Sequence, residues 1–168
     1  MEQNAEIGHL IKTLHLKPHP EGGYYAETYR SGDSLVLLPG RYPAPRTAST
    51  AIYFLLPAGT FSAFHRIQSD EGWHFYQGQP LRIHMLLPDG TYQYHDLGPD
   101  LVAGQTFQYF VPHGTWFASE PIDKEGYSLV GCTVAPGFDF EDFEMAKAAE
   151  LKEQFPTYSR LITRLCRI

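Results

Sequence analysis

Apolar residues recur along this chain in two periods. Between Asn4 and Leu16, Ile7, Leu10, Ile11 and Leu14 follow the i, i+3, i+4, i+7 spacing that lines one face of a helix, and Pro18 stops it. From there the period shortens. Runs rich in β-branched and aromatic residues, each bounded by Gly, Pro or Asp, predict strands near Gly23–Arg30, Ala51–Leu56, Ser62–Ile67, Trp73–Gln77, Leu81–Leu87, Tyr92–Leu97, Phe107–Val111 and Tyr127–Ala135. A Pro-rich loop, Leu38–Arg46, separates the first two, and Pro88-Asp89-Gly90 predicts a tight hairpin turn. The helical period then returns. Phe143, Ala146 and Ala149 predict a helix over Glu141–Glu153 with Asp139 as its N-cap, and a last short helix covers Tyr158–Leu165 beyond Pro156.

Short strands at this spacing, flanked by terminal helices, predict an all-β fold, a sandwich or barrel of the jelly-roll group. The 168 residues fit a single domain: an N-terminal helix at about 4–16, a barrel at about 20–138 and C-terminal helices at about 139–166. A small barrel has an interior that can hold one small ligand, so inward-pointing residues near its turns are the ones to follow.

Charge narrows the partners. The net charge is −6 and no run of Lys and Arg occurs, which argues against binding to nucleic acid. No stretch of about 18 apolar residues exists, so no membrane span is expected, and the first residues carry no secretory pattern. The two cysteines, Cys132 and Cys166, read as reduced thiols in a cytoplasmic protein. Eight histidines leave open a His-based site.

The chemistry concentrates between Gly59 and Gly78. Strand alternation puts Phe61, Ala63, His65 and Ile67 on one face, and Glu71 follows a short turn. An imidazole and a carboxylate joined across a hairpin can ligate a metal or transfer a proton, the Glu fixing the His tautomer; they can equally be an ordinary hydrogen-bonded pair. Aromatic residues make up 14% of the chain. Most of Tyr53, Phe61, Trp73, Phe75, Phe107, Tyr109, Trp116 and Phe117 belong to the core, and some are expected to line the same pocket.

Gly59, His65, Glu71 and Gly78 have the spacing of the first cupin motif, and Val111-Pro112-His113-Gly114-Thr115-Trp116-Phe117 is similar to the second. His19-Pro20-Glu21-Gly22-Gly23-Tyr24, Glu27-Thr28-Tyr29-Arg30, Ser49–Leu56, Trp73–Tyr76 and Gly131–Phe140 resemble signatures of the cupin-5 family, whose function is unassigned. The resemblance runs from about position 18 to 145. It implies a cupin double-stranded β-helix, a small-molecule ligand and a homodimer. A metal cupin supplies three His and one Glu. Here Ile67 and Phe117 occupy two of those positions, leaving His65 and Glu71, with His74 as a third ligand only if a bulge turns it inward.

The leading expectation is therefore a small-molecule isomerase, epimerase or lyase. It has no firmly expected cofactor, His65 and Glu71 are the catalytic pair, and Tyr53, Phe61, Ala63, Trp73, His74, Phe75, Trp116 and Phe117 surround the ligand. The alternatives are a dioxygenase-like enzyme holding a divalent metal on His65, Glu71 and His74, and a cupin that binds or stores a ligand unchanged. His9, His15, His19, His84 and His95 are expected on the surface or hydrogen-bonded in the core, and His113 at the rim. Gly22 and Gly23 would let backbone approach a ligand closely. The Tyr24, Tyr25 and Tyr29 strand would pair subunits.

Overall fold

A computed structural model describes residues 2–36 and 40–167. Leu38 and Pro39 of the expected Pro-rich loop lie outside the described residues, as do Met1 and Ile168. In chain order the elements are α1 (Glu2–Thr13), β1 (Lys17–Pro18), β2 (Tyr24–Arg30), β3 (Ser34–Leu35), β4 (Arg46–Thr47), β5 (Thr50–Pro57), β6 (Ser62–Arg66), β7 (Asp70–Gly78), β8 (Leu81–Leu86), β9 (Tyr92–Leu97), β10 (Gln108–Val111), β11 (Trp116–Pro121), β12 (Tyr127–Ala135), a 3-10 turn (Phe140–Asp142), β13 (Glu144–Met145), α2 (Ala148–Gln154), a second 3-10 turn (Pro156–Tyr158) and α3 (Ser159–Leu165).

The strands form a six-stranded sheet, β1-β2-β5-β12-β7-β10, and a five-stranded sheet, β13-β6-β11-β8-β9. They face each other as a sandwich of jelly-roll type and do not close into the expected barrel. Phe54, Leu56, Trp73, Ile83, Met85, Phe117 and Val130 fill the space between them. The apolar stripe of α1 packs on Leu55, Tyr127 and Leu129, on the opposite face of the six-stranded sheet. The C-terminal helices bury Leu151, Phe155, Ile162 and Leu165 against Phe64, Leu86, Trp116 and Ala118.

α1 ends before Leu16 because the chain closes it with backbone. His15 takes φ 54°, its N–H reaches the Lys12 carbonyl at 3.4 Å and the Leu16 N–H reaches Ile11 at 2.9 Å, the pairing of a Schellman cap. The β8–β9 hairpin forms as expected, with Leu86 opposite Tyr92. Its turn is held by Asp89 Oδ1, which accepts the Thr91 N–H at 2.9 Å.

Two expectations fail. β11 was not anticipated because Trp116, Phe117, Ala118 and Ser119 are all buried: both faces are covered, so no alternation marks the strand. The single helix expected over Glu141–Glu153 is three pieces. Asp139 does cap, accepting the Glu141 N–H at 2.9 Å, but only a 3-10 turn follows it. There Asp142 makes a buried two-point ion pair with Arg46, at 2.7 and 2.9 Å. The next residues pair with β6 as β13. These tertiary contacts outweigh a modest helical preference.

Candidate functional site

The loop before β2 and the start of β6 meet at one end of the sandwich. The Glu21 carbonyl accepts the Ala63 N–H at 2.9 Å and the Arg167 guanidinium at 3.1 Å. Gly22 and Gly23 both have positive φ, 119° and 71°. A Cβ at Gly22 would collide with the Phe61 carbonyl and Arg167, so this close approach requires glycine. The Glu21 carboxyl is thereby carried inward. Oε1 accepts the Ser62 hydroxyl at 2.8 Å, and Oε2 lies 3.2 Å from His65 Nε2 and 3.5 Å from His19 Nδ1.

These groups open on a cavity of about 400 Å³. His65, Glu21 and Glu71 sit in it with Ile67 and Cys132; Tyr25, Phe54, Phe138, Phe140 and Phe143 form aromatic walls, and Lys17 and Arg30 also line it. The His65 ring is held between Phe117 and Phe143, with centroids 4.1 and 5.3 Å away. His65 and Glu21 are 2% and 6% exposed.

Proton positions follow from geometry. His65 Nδ1 lies 2.7 Å from the Ala63 carbonyl, which can only accept, so Nδ1 carries hydrogen. Nε2 and Glu21 Oε2 would then oppose bare lone pairs unless one proton lies between them. Burial pulls His65 down to about 4 against the Ala63 carbonyl, which favours its protonation. Burial raises Glu21, opposed by His19, Ser62 and Arg167. Both directions favour a neutral pair sharing one proton. Glu71 is pushed up to about 8, first by burial and then by the nearby Glu21, while Cys132 and Trp73 pull the other way. Burial, then the carboxyls, raises the Cys132 thiol, which makes it a poor nucleophile.

Sequence and structure agree on the region and differ on the partners. His65 and Glu71 line one cavity, but the carboxyl in contact with His65 is Glu21, which comes from the loop before β2. Trp73 and Phe117 lie in the core beneath the cavity, edge-to-face at 6.0 Å. Ala63 is fully buried and contributes its carbonyl. Phe75 packs against the same core. Tyr53 points to the α1 side of its sheet, where it meets Tyr76; its neighbours Ile52 and Phe54 are the ones that line the cavity. Phe61 lies under the Arg167 guanidinium at 4.6 Å, and Trp116 under that of Arg66 at 4.4 Å. His74 stays on the face opposite Glu71, hydrogen-bonded to Thr133 Oγ1 at 2.8 Å. The irregularity in β7–β12 pairing comes after it, opposite Leu129 and Val130, and does not turn it inward. Sequence reasoning passed over His19 and Glu21 as chemistry. The available signal was the Glu21-Gly22-Gly23 segment.

The donors do not suit the metal that the resemblance implies. Among the described residues, no three His, Cys, Asp or Glu groups converge as ligands. His65 has one nitrogen committed to a carbonyl and the other facing Glu21. Ile67 and Phe117 offer no donor, and His74 points away.

A family model described as the cupin superfamily (DUF985) matches residues 8–146. A hypothetical protein from Leishmania major is similar at TM-score 0.88 and 38% identity, over 96% of this chain and 98% of that one. A protein from Shewanella oneidensis is similar at TM-score 0.85 and 41% identity, over 95% and 96%. Oxalate decarboxylase from Bacillus subtilis is similar at TM-score 0.56 and 14% identity, over 92% of this chain and 37% of that one, a likeness of fold alone. No curated protein matches. No helix among the described residues is long and apolar enough to cross a membrane.

Proposed function

This chain belongs to the DUF985 family of the cupin superfamily, and within that fold we propose that the cavity binds a small organic molecule and that the Glu21–His65 pair moves one of its protons. The reaction class is isomerisation, epimerisation or a lyase elimination, with no resident metal. One observation carries this reading: a buried carboxyl and imidazole, 3.2 Å apart and obliged to share a proton, face a cavity. A volume of about 400 Å³ is at the small end of ligand pockets. The pair itself is almost wholly screened from solvent, His65 at 2% and Glu21 at 6% exposure. With the shared proton in place the pair can donate it; with the proton removed, the pair can accept one from a substrate.

Glu71 is the second acid of the site. With its pKa pushed up to about 8, it stays protonated at neutral pH and can donate a hydrogen bond to a ligand oxygen. The test is deuterium incorporation from D2O into a panel of small hydroxyketones and 2-keto acids, followed by proton NMR. Wild-type protein should exchange an α-proton, and His65→Ala and Glu21→Gln should lose it by 10²-fold or more. Exchange that survives both substitutions sinks the proposal, and a ligand bound but recovered unchanged favours a binding cupin.

The proposal also keeps the chain as a homodimer. The second half of β2, with Tyr29 54% exposed, extends past its pairing with β1 at Tyr24 and Tyr25, so it is the edge offered to a second copy. Light scattering on a size-exclusion column should give twice the chain mass, and a monomer removes this part.

A further inference from the structure

The proton-transfer reading leaves His19 unused, although it lies in the same cavity with its side chain only 6% exposed. Its ring is enclosed by Tyr25, Phe54, Phe140 and Phe143, with centroids at 4.6, 6.1, 6.0 and 5.9 Å. Its Nδ1 accepts the backbone N–H of Glu21 at 3.3 Å. A backbone N–H can only donate, so this contact favours a bare Nδ1 with hydrogen on Nε2, the tautomer compatible with a protonated Glu21 carboxyl 3.5 Å from Nδ1. Nε2 makes no hydrogen bond with the described residues. The nitrogen is open to the cavity that His19 lines, so an N–H there, beside the proton-transfer pair, is placed to meet an acceptor on a bound molecule.

We propose that His19 Nε2–H is the electrophile of the site and that the substrate is a small carbonyl compound with an acidic α-C–H, enolised between His19 and the Glu21–His65 pair. This identifies a substrate class for the preceding reading and rests on it. The pair, having lost its shared proton, takes the α-proton. The C–H electron pair becomes the new C=C bond, and the C=O π pair moves onto oxygen. The oxygen then carries the single negative charge the pair gave up, and it accepts the hydrogen bond from Nε2–H. Where the α-carbon bears a hydroxyl, that hydroxyl passes its proton to the former carbonyl oxygen, its C–O becomes the new C=O and the C=C pair takes the proton back at the former carbonyl carbon, which isomerises the substrate; return to the opposite face of the original carbon epimerises it.

A neutral imidazole suits this task. Its N–H is close in acidity to an enol, whereas an imidazolium would give up its proton outright. Burial holds His19 below its ordinary pKa, against the pull of Glu21 and aided by His65 and Lys17. The Glu21 N–H reinforces that by occupying the lone pair that protonation would need. One residue therefore serves both halves of the reaction: Glu21 takes part in the base with its carboxyl and sets the electrophile's tautomer with its backbone.

The test uses the full chain with histidine labelled with ¹⁵N. In the free protein at pH 7, two-bond proton–nitrogen correlations should show His19 neutral, with hydrogen on Nε2 and Nδ1 bare. The opposite tautomer, or an imidazolium, overturns the inference and leaves the base untouched. Glycolohydroxamate, a planar mimic of an enediolate, should then bind and move the His19 Nε2–H resonance. Its affinity should fall at least tenfold in His19→Phe and recover to within a few-fold of wild type in His19→Gln, whose amide still donates. Absence of binding, or equal affinity in His19→Phe, also overturns it. If His19→Phe does not fold, the free-protein tautomer and the His19→Gln affinity decide. The two readings separate cleanly. Lost exchange in Glu21→Gln with an unaltered mimic affinity in His19→Phe keeps the base and removes the electrophile; the converse pattern removes the base.

Discussion

Two buried histidines in this molecule each contact a glutamate, and they differ in what else touches the pair. His84, on the five-stranded sheet, is hydrogen-bonded at both ring nitrogens, to the Tyr92 hydroxyl at 2.8 Å and to Glu120 at 3.0 Å. The other Glu120 oxygen is held by Arg164 from α3. Burial alone would raise Glu120, but His84 and Arg164 together bring it down to about 2. His65 and Glu21 have no such cation on the carboxyl: Arg167 spends its hydrogen bonds on the Glu21 and Phe61 backbone carbonyls. Glu21 rises instead of falling. A guanidinium on the carboxylate makes a histidine–glutamate pair a fixed ionic clamp between helix and sheet. Its absence, with a cavity alongside, leaves a proton free to move.

The largest expected difference between the two is in catalysis. Glu21→Gln should cost 10²- to 10⁴-fold in α-proton exchange, the usual range for a general acid or base, whereas Glu120→Gln should leave the rate within about threefold. Comparable losses from both substitutions would show that the clamp reaches the site. The rate should also rise with pH as the pair gives up its shared proton, and this rise should vanish in Glu21→Gln.

A smaller effect is in stability. Burial, then the neighbouring Glu21, pushes Glu71 up to about 8 in the folded protein from an ordinary 4.5. Between those values the folded state holds a proton that the unfolded chain releases, so stability falls as pH rises across the window. Glu71→Gln should remove this decline. Urea midpoints should show the variant more stable at pH 8, by the order of a few kcal/mol at most, and matched to wild type below about pH 4.5. Equal pH dependence in both proteins would mean that Glu71 is ionised and partnered.

Glu120 has the opposite sign. Its folded pKa is depressed, so it stabilises above about pH 4.5 and loses that contribution as pH falls toward about 2. Glu120→Gln should cost about 1–2 kcal/mol at pH 7 and only a small part of that at pH 2. Arg164→Ala, at a side chain 52% exposed, should cost below about 1 kcal/mol. A cost for Glu120→Gln that persists at pH 2 would point to lost packing instead of lost charge.

Local signals in the chain sufficed for much of the framework. The Ile7–Leu14 stripe, the inward residues of β5 to β9 and the Asp89-Gly90 turn each obey a rule that operates over a few residues. His65 was legible for the same reason, because its face follows from alternation. Its partner was not. Glu71 is six residues away in sequence, while Glu21 is 44 residues away and reaches His65 through a glycine-dependent loop seated on Phe61 and Ala63. The same limit hid β11, whose two covered faces erase alternation, and divided the expected C-terminal helix, where Arg46 claims Asp142 from 96 residues away. Long-range contacts between polar groups leave no periodic trace.

The hydrogen bond from Arg167 to the Glu21 carbonyl also sets an order of events. It closes a loop of 146 residues, at an entropic cost that must be met before the contact returns anything. During synthesis, the strands of both sheets can be complete while the loop carrying Glu21 still lacks this tether. Until the Arg167 contact is made, the loop is held at the site only by Ala63 and Ser62. Fraying of the segment after α3 would remove the Arg167 tether alone and leave the strands paired.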